Sequence, residues 1–351
     1  MAPEPTASAD DAGHADYFDY ELPPDRIAQH PVEPRDAARL LVAPQGLGAR
    51  HRRVADLPDL LQPGDLLVVN DTRVLAARLG LRKTTGGAVE VLLLHPTGRH
   101  RQWQALVRGS RRLAPGSPLV AVDAPDPAAA EPLVVVGADV GDGVREVELL
   151  ADDVIDRVGV VPLPPYITAP LADAERYQTV FARQPGSVAA PTAGLHLTDE
   201  LLDALRANGV EVATVELRVG LGTFRPITAD RIADHAMHAE TYVIEPATWA
   251  RIQAAERVVA VGTTVVRTLE SAARSGELTA STELFIRRGF DWQVVNTLLT
   301  NFHVPRSSLL VLVDAFVGPR WRDLYATALA EGYRFLSFGD AMLVDRDAPA
   351  P

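Results

Sequence analysis

The chain contains no cysteine, and Lys83 is the only lysine among its 351 residues. The first absence excludes disulfides, thiolate zinc sites, iron–sulfur clusters and cysteine nucleophiles together. The second argues against Schiff-base chemistry and a P-loop lysine. Long hydrophobic runs are missing as well: no segment approaches the ~18 apolar residues of a membrane-spanning helix. Met1–Ala15 lacks the basic start and apolar stretch of a signal peptide. It reads as a disordered tail, as does Asp345–Pro351. These absences lead us to expect a cytoplasmic protein with no membrane partner. The dinucleotide fingerprint is also incomplete, because Gly220-Leu221-Gly222 lacks the third glycine.

The formal net charge is −12, which argues against a generic nucleic-acid binder. Its distribution is uneven. Between Ala76 and Pro118 stand Arg78, Arg82, Lys83, Arg99, Arg101, Arg108, Arg111 and Arg112 against one acid, Glu90. That stretch carries +7 and leaves the rest of the chain at −19. A compact basic module on an acidic body suits local contact with phosphates, and equally a solvated sheet face.

Organisation follows the same division. Short β runs fill Leu66 to Leu150, at Leu66–Val69, Val89–Leu94, Trp103–Val107, Leu119–Val122, Leu133–Val136 and Val144–Leu149, with Gly and Pro turns between some of them. Such spacing predicts a small antiparallel barrel or sandwich. After Pro162 strands and helices alternate, which predicts an α/β body with a partly parallel sheet. Helices are expected at Asp199–Ala207 behind Thr198, after Gly262 with Thr263 or Thr264 as cap, after Ser307-Ser308, and at Arg320–Glu331. Strands are expected at Val210–Leu217, Val258–Val261, Trp292–Leu298 and Tyr333–Phe338. The expected boundaries are a body of residues 16–64 and 160–344 and an insert of 65–159.

Four polar loops adjoin the apolar strands, where a rigid sheet aims side chains. Asn70, Asp71 and Arg73 offer the donors and acceptors that a purine-like base needs. Thr192 and Gly194 precede His196, an acid/base candidate beside a helix start. Gly262, Thr263 and Thr264 open a helix that carries Arg267 and Glu270, where free N–H groups suit an anion and Glu270 suits ribose hydroxyls. Asn301 and His303 end another strand. His235 and His238 form an H-x-x-H pair with no obvious third metal ligand. Each motif also has a structural reading, and the residues alone lead no further than an α/β enzyme with histidine acid/base groups and a basic β module.

The loops in combination go further. DYELPPDRIAQHPVEPRDAARLLV (Asp19–Val42), PGDLLVVNDTRVLAARL (Pro63–Leu79), PLPPYI (Pro162–Ile167), YQTVFARQPGSVAAPTAGLHL (Tyr177–Leu197), HAMHAE (His235–Glu240), VVAVGTTVVRTLES (Val258–Ser271), NTLLTNFHVPRSSLLVLVDAF (Asn296–Phe316) and YRFLSFGDAMLV (Tyr333–Val344) occur in one order. In them the chain resembles the S-adenosylmethionine:tRNA ribosyltransferase-isomerase family from about Asp16 to Val344. The resemblance implies an α/β domain with an inserted Greek-key barrel, and S-adenosylmethionine as ribosyl donor with no further cofactor or metal. The acceptor it implies is 7-aminomethyl-7-deazaguanine at the wobble position of a tRNA anticodon stem-loop. A monomer is expected.

That reaction needs a base for a C5′ hydrogen acidified by the sulfonium. It needs a second proton acceptor for an aminomethyl group whose ordinary pKa is about 10. His196 and His303, with Asn301, are the expected catalytic set. Gly262, Thr263, Thr264, Arg267, Glu270, Thr192 and Gly194 are expected to hold the donor, and Asn70, Asp71, Arg73 and Tyr166 the base. Arg108, Arg111 and Arg112 are expected on RNA phosphates. Three positions depart from the family pattern: Arg218 before Val219-Gly220, Arg287-Arg288 before Gly289, and Leu197 after His196. The last is a change of volume; Arg218 and Arg287-Arg288 motivate an alternative, an inert or diverged RNA-binding protein on the same fold.

Overall fold

The computed structural model describes residues 12–109, 113–141, 143–220 and 227–347. The chain divides into two compact units. The first holds the residues up to Thr72, Pro165–Gln184 and those from Ala190 on; the second holds Arg73–Pro164 and Pro185–Ala189.

Within the first unit the described strands form a nine-stranded mixed sheet. Its order is Thr279–Thr282, Glu240–Val243, Glu211–Leu217, Asp65–Asn70, Arg257–Val261, Thr297–Asn301, Ala341–Asp345, Arg39–Ala43 and Arg50–Arg53. Glu211–Leu217, Asp65–Asn70, Arg257–Val261 and Thr297–Asn301 run parallel to one another, and the outer two pair antiparallel with Glu240–Val243 and Ala341–Asp345. Asp65–Asn70 lies between two parallel partners and is buried along its whole length, which is why its apolar run does not alternate. Leu67, Val69, Val259, Val261 and Leu299 pack with Leu201, Leu202 and Leu205 of the helix Asp199–Ala207. Each such leucine contributes about 1.5–3 kcal/mol on burial. Thr198 caps that helix by accepting from the Leu201 N–H at 3.1 Å. Ser307 caps Ser308–Val317 in the same way through Leu310, at 3.2 Å.

In the second unit Arg78–Lys83, Ala88–Pro96, Gln102–Arg108, Val144–Leu149, Val134–Gly141 and Ser117–Ala121 pair antiparallel in that order. The last strand pairs back to the first and closes a six-stranded barrel. Closure removes exposed edges. Residues of Val144–Leu149 alternate between inside and outside. Arg145 is one of the buried ones, its guanidinium donating to the carbonyls of Leu113 (2.8 Å) and Gly137 (2.6 Å).

Several local expectations change. The strand Asp65–Asn70 belongs to the large sheet, so the second unit begins at Arg73 and not at residue 65. Arg78–Lys83, whose basic residues hide its pattern, is a barrel strand that the sequence reading missed. Gly262, at φ +88°, is the N-cap of Thr263–Ser275, and no threonine side chain caps it. Trp292–Asn296 is loop, because Glu270 takes the N–H groups of Gln293, Val294 and Val295; the strand starts at Thr297. Tyr333–Phe338 is also loop. Its N–H groups go to Ala328, Arg26 and Phe302, and Leu336 sits at φ +71°. The final strand is Ala341–Asp345. At the N-terminus Ala12 and Ala15 are buried, so residues 12–15 pack as part of the first unit.

Candidate active site

The four parallel strands end on the same edge of the sheet, and the loops singled out above leave from three of those ends. Asn70 ends Asp65–Asn70, Gly262 follows Arg257–Val261, and Asn301 ends Thr297–Asn301. The carboxyl edge of a parallel sheet is where α/β folds bind ligands. The loop Thr192–His196 joins this edge: a Cβ placed on Gly262 would lie 3.5 Å from the Cβ of Ala193.

His196 is buried at 4% exposure, yet it lines a cleft with Pro31, Val32, Arg35, Leu195, Ser337 and Gly339 among its walls. Its Nε2 lies 3.0 Å from Asn301 Nδ2. Asn301 Nδ2 also donates to the carbonyls of Leu336 (3.1 Å) and Asp340 (3.4 Å). Those carbonyls orient the amide, so His196 Nε2 is an acceptor and Nδ1 carries the proton. Burial, and then the charges of Arg334 and Arg35, hold the imidazole down at about 4. It is neutral at pH 7. Asn301 Oδ1 is buried beside it without a hydrogen-bond partner. Buried acceptors are rarely left so, and a donor on a bound ligand would satisfy it. Tyr166 reaches Ser337 of the cleft wall: the two hydroxyls pair at 2.7 Å, and burial pushes the Tyr166 pKa up to about 12.

His303 lies in different surroundings. Its N–H donates to Tyr325 OH at 3.0 Å, its carbonyl accepts from Tyr20 OH, and its Nε2 pairs with Thr300 Oγ1 at 3.0 Å. Burial holds it down at about 3. It does not line the His196 cleft.

The remaining expected residues divide between open and occupied. Asn70 is engaged at both side-chain polar atoms: Nδ2 donates to Leu217 O (3.0 Å), and Oδ1 accepts from the N–H groups of Thr72 and Leu217, each at 3.2 Å. Asp71 is buried, and its carboxyl is pushed up by burial and then by Glu216, against the pull of Arg183. Arg73 belongs to the second unit. Thr192 is half-buried at the start of its loop. Gly194 is needed for packing, since a Cβ there would meet the Phe181 ring at 2.8 Å. Thr263 is buried, and Thr264 Oγ1 is buried without a partner. Glu270 is wholly buried, with both oxygens on backbone N–H groups, so it holds the 290s loop in place. Arg267 pairs with Glu240. Arg108 is 82% exposed and 3.6 Å from Glu90, while Arg111 and Arg112 lie outside the described residues. Sequence reasoning passed over Glu240 and Arg35. Glu240 stood within HAMHAE without an obvious partner, and Arg35 sits far from His196 in the chain. Among the described residues no three His, Asp or Glu gather as a metal site, and no helix is long and apolar enough to cross a membrane.

A neutral imidazole, an unpaired amide oxygen and glycine turns lie at the carboxyl edge of the parallel sheet of an α/β protein, where such folds bind ligands. The comparisons name the family. The model for the queuosine biosynthesis protein family matches residues 15–344, and the chain belongs to that family. It is 50% identical to the S-adenosylmethionine:tRNA ribosyltransferase-isomerase of Synechococcus elongatus, over 96% of this chain and 98% of that one. The enzyme of the same name from Anaeromyxobacter is 51% identical, over 94% and 98%. A crystal structure described as the S-adenosylmethionine tRNA ribosyltransferase of Thermotoga maritima matches with a TM-score of 0.53 at 35% identity, over 93% of this chain and 99% of that one.

Proposed function

We propose that this chain transfers and isomerises the ribosyl moiety of S-adenosylmethionine onto 7-aminomethyl-7-deazaguanine in tRNA. The products are epoxyqueuosine-tRNA, adenine and L-methionine. The observation that carries this reading is identity of about 50% along nearly the whole chain to relatives of that activity. The reaction asks two proton transfers of a protein. A base must take a C5′ proton from the carbon beside the sulfonium, the ribose ring then opens, and adenine leaves. The aminomethyl nitrogen adds only when neutral, so a second proton must also be accepted. His196, neutral and lining a cleft, is placed for one of these transfers, and the open Oδ1 of Asn301 for holding a donor beside it. Gly262, Thr263 and Thr264 are read as donor contacts, Asp71 and Tyr166 as base contacts, and Arg108 with Arg111 and Arg112 as RNA contacts. The protein works as a cytoplasmic monomer.

Incubation with S-adenosylmethionine and an anticodon stem-loop carrying the deazaguanine should release one adenine per epoxyqueuosine formed. S-adenosylhomocysteine in place of adenine would mark methyl transfer and end this reading. The inert RNA-binding alternative rested on Arg218 and Arg287-Arg288, and two of these have local partners. Arg218 pairs with Glu216 at 2.6 Å, and Arg288 reaches Asp314 and the Tyr17 hydroxyl.

A further inference from the structure

A second opening in the first unit shares no lining residue with the His196 cleft. It is a narrow opening, partly open to solvent. Met237, Leu284, Phe285, Ile286, Leu309 and Leu312 supply apolar walls. Two charged residues, both more than nine-tenths buried, also line it: Glu240 and Arg267. They pair through Arg267 Nη1, while Nη2 reaches the Thr282 carbonyl at 3.4 Å. Glu240 Oε1 accepts the Gly220 N–H at 3.0 Å. Arg267 Nε is buried and has no acceptor. A buried donor is seldom left unmet, and a charged one least of all. The opening therefore combines a cation with an unfilled donor, an anion beside it, and a largely apolar lining.

We propose that this opening binds the methionyl end of S-adenosylmethionine, with the α-carboxylate on Arg267 Nε and the α-ammonium toward Glu240. The inference rests on the reaction proposed above and assigns a part of its donor to a place. An amino acid with a short unbranched thioether chain has the same distribution of properties as the opening: both charges at one end and an apolar remainder. A sulfonium leaving the apolar part meets the Phe285 ring and the Met237 thioether, which are soft and attractive to a cation. His235, edge-on to Phe285, is held below its ordinary pKa by burial and then by His238, so it adds no repelling charge. Arg267 stands one turn into the helix Thr263–Ser275, whose glycine turn packs on Ala193 in the His196 loop. One helix thus carries the residue that reads the donor's amino-acid end and the turn that meets the acid/base loop.

Calorimetric titration of the full chain with L-methionine, and with 3-(methylthio)propylamine, which lacks the carboxylate, tests this without any turnover. The wild type should prefer L-methionine by at least about tenfold. Arg267→Gln should bring the two ligands within about twofold of each other. Leu309→Trp, at a half-buried position of the lining, should weaken both by about tenfold while thermal unfolding stays near wild type. Unchanged preference in Arg267→Gln, unchanged affinity in Leu309→Trp, or no binding of L-methionine by the folded wild type would each overturn the proposal. Adenine release by the wild type is scored separately. Binding as described without adenine release would remove the reaction and leave the subsite standing.

Discussion

His196 and His303 are both buried, both neutral and both attached to the same strand end, through Asn301 in one case and Thr300 in the other. They differ in what surrounds them. His196 borders a cleft and feels Arg35 and Arg334; Arg35 is itself fixed by the carbonyls of Gln178 and Glu175. His303 is enclosed by Tyr20, Tyr325 and Thr300, and the two tyrosine rings meet edge to face at 5.3 Å. Burial depresses the pKa of either imidazole, so a depressed value alone does not mark an active site. An opening and an unsatisfied neighbour do. His196 has both, and for this reason we assign it the proton transfer and give His303 the task of holding the strand end.

Replacing His196 with Ala should have the largest effect. Turnover, followed as adenine release, should fall by at least about 10²-fold with the fold retained. His303→Gln should cost less than about tenfold in turnover. Similar losses from both changes would dissolve the distinction and restore the pair as joint acid and base.

The second prediction concerns pH. The folded values, about 4 for His196 and about 3 for His303, lie below the ordinary 6.5. Between pH 6.5 and 4 the unfolded chain binds protons that the folded chain does not. Stability contributed by these groups is therefore complete above pH 6.5 and is lost as pH falls. The slope is about 1.4 kcal/mol per pH unit for each histidine. Urea unfolding at a series of pH values should show His303→Gln flattening the acid limb by one such share. An unchanged limb would mean that His303 titrates normally and is not enclosed.

Asn301→Asp should follow in size. The change swaps the amide N–H₂ for an oxygen facing the Leu336 and Asp340 carbonyls, and costs about 1–3 kcal/mol of stability. It also places an acid beside His196 Nε2, which should raise the imidazole pKa and move the acid limb of the rate profile upward. An unmoved limb would separate His196 from the rate.

These contrasts bear on what a sequence can reveal. The apolar run at Leu66–Val69, the Thr198 and Ser307 caps and the Gly262 turn were readable because their causes are local: periodicity, a hydroxyl before a helix, a residue free to adopt positive φ. Arg78–Lys83 was not, because a barrel strand with half-exposed arginines carries little apolar signal. Trp292–Leu298 and Tyr333–Phe338 read as strands from composition, yet their backbone donors are claimed by partners distant in sequence, Glu270, Arg26 and Phe302 among them. The same limit applies at the site. His196 and His303 stood out equally by residue type, and Asn70 and Glu270 looked available. Only the fold reveals that Asn70 and Glu270 are engaged by backbone groups and that Arg267 Nε is left without an acceptor.

The smallest expected effect tests a contrast of charge, not of burial. Glu90 is the single acid between Ala76 and Pro118, and Arg78 and Arg108 both lie near it, at 3.9 and 3.6 Å. Arg108 is the more exposed, at 82% against 34%, so its pairing with Glu90 is weak in water and easily exchanged for a phosphate. Outside this stretch the chain totals −19, a poor surface for a polyanion, so the insert is expected to carry much of the RNA contact. Each phosphate neutralised adds about 0.7–0.9 to the slope of log K against log salt. Arg108→Ala should flatten that slope by one such step, and the triple change with Arg111 and Arg112 by up to three, while affinity for S-adenosylmethionine stays constant. Arg78→Ala is the control: half-buried and donating to the Leu163 carbonyl at 3.3 Å, it should leave the salt slope alone. Equal slopes for Arg108→Ala and the wild type would place the phosphate contacts on the first unit, with the exposed Arg287 the next residue to replace.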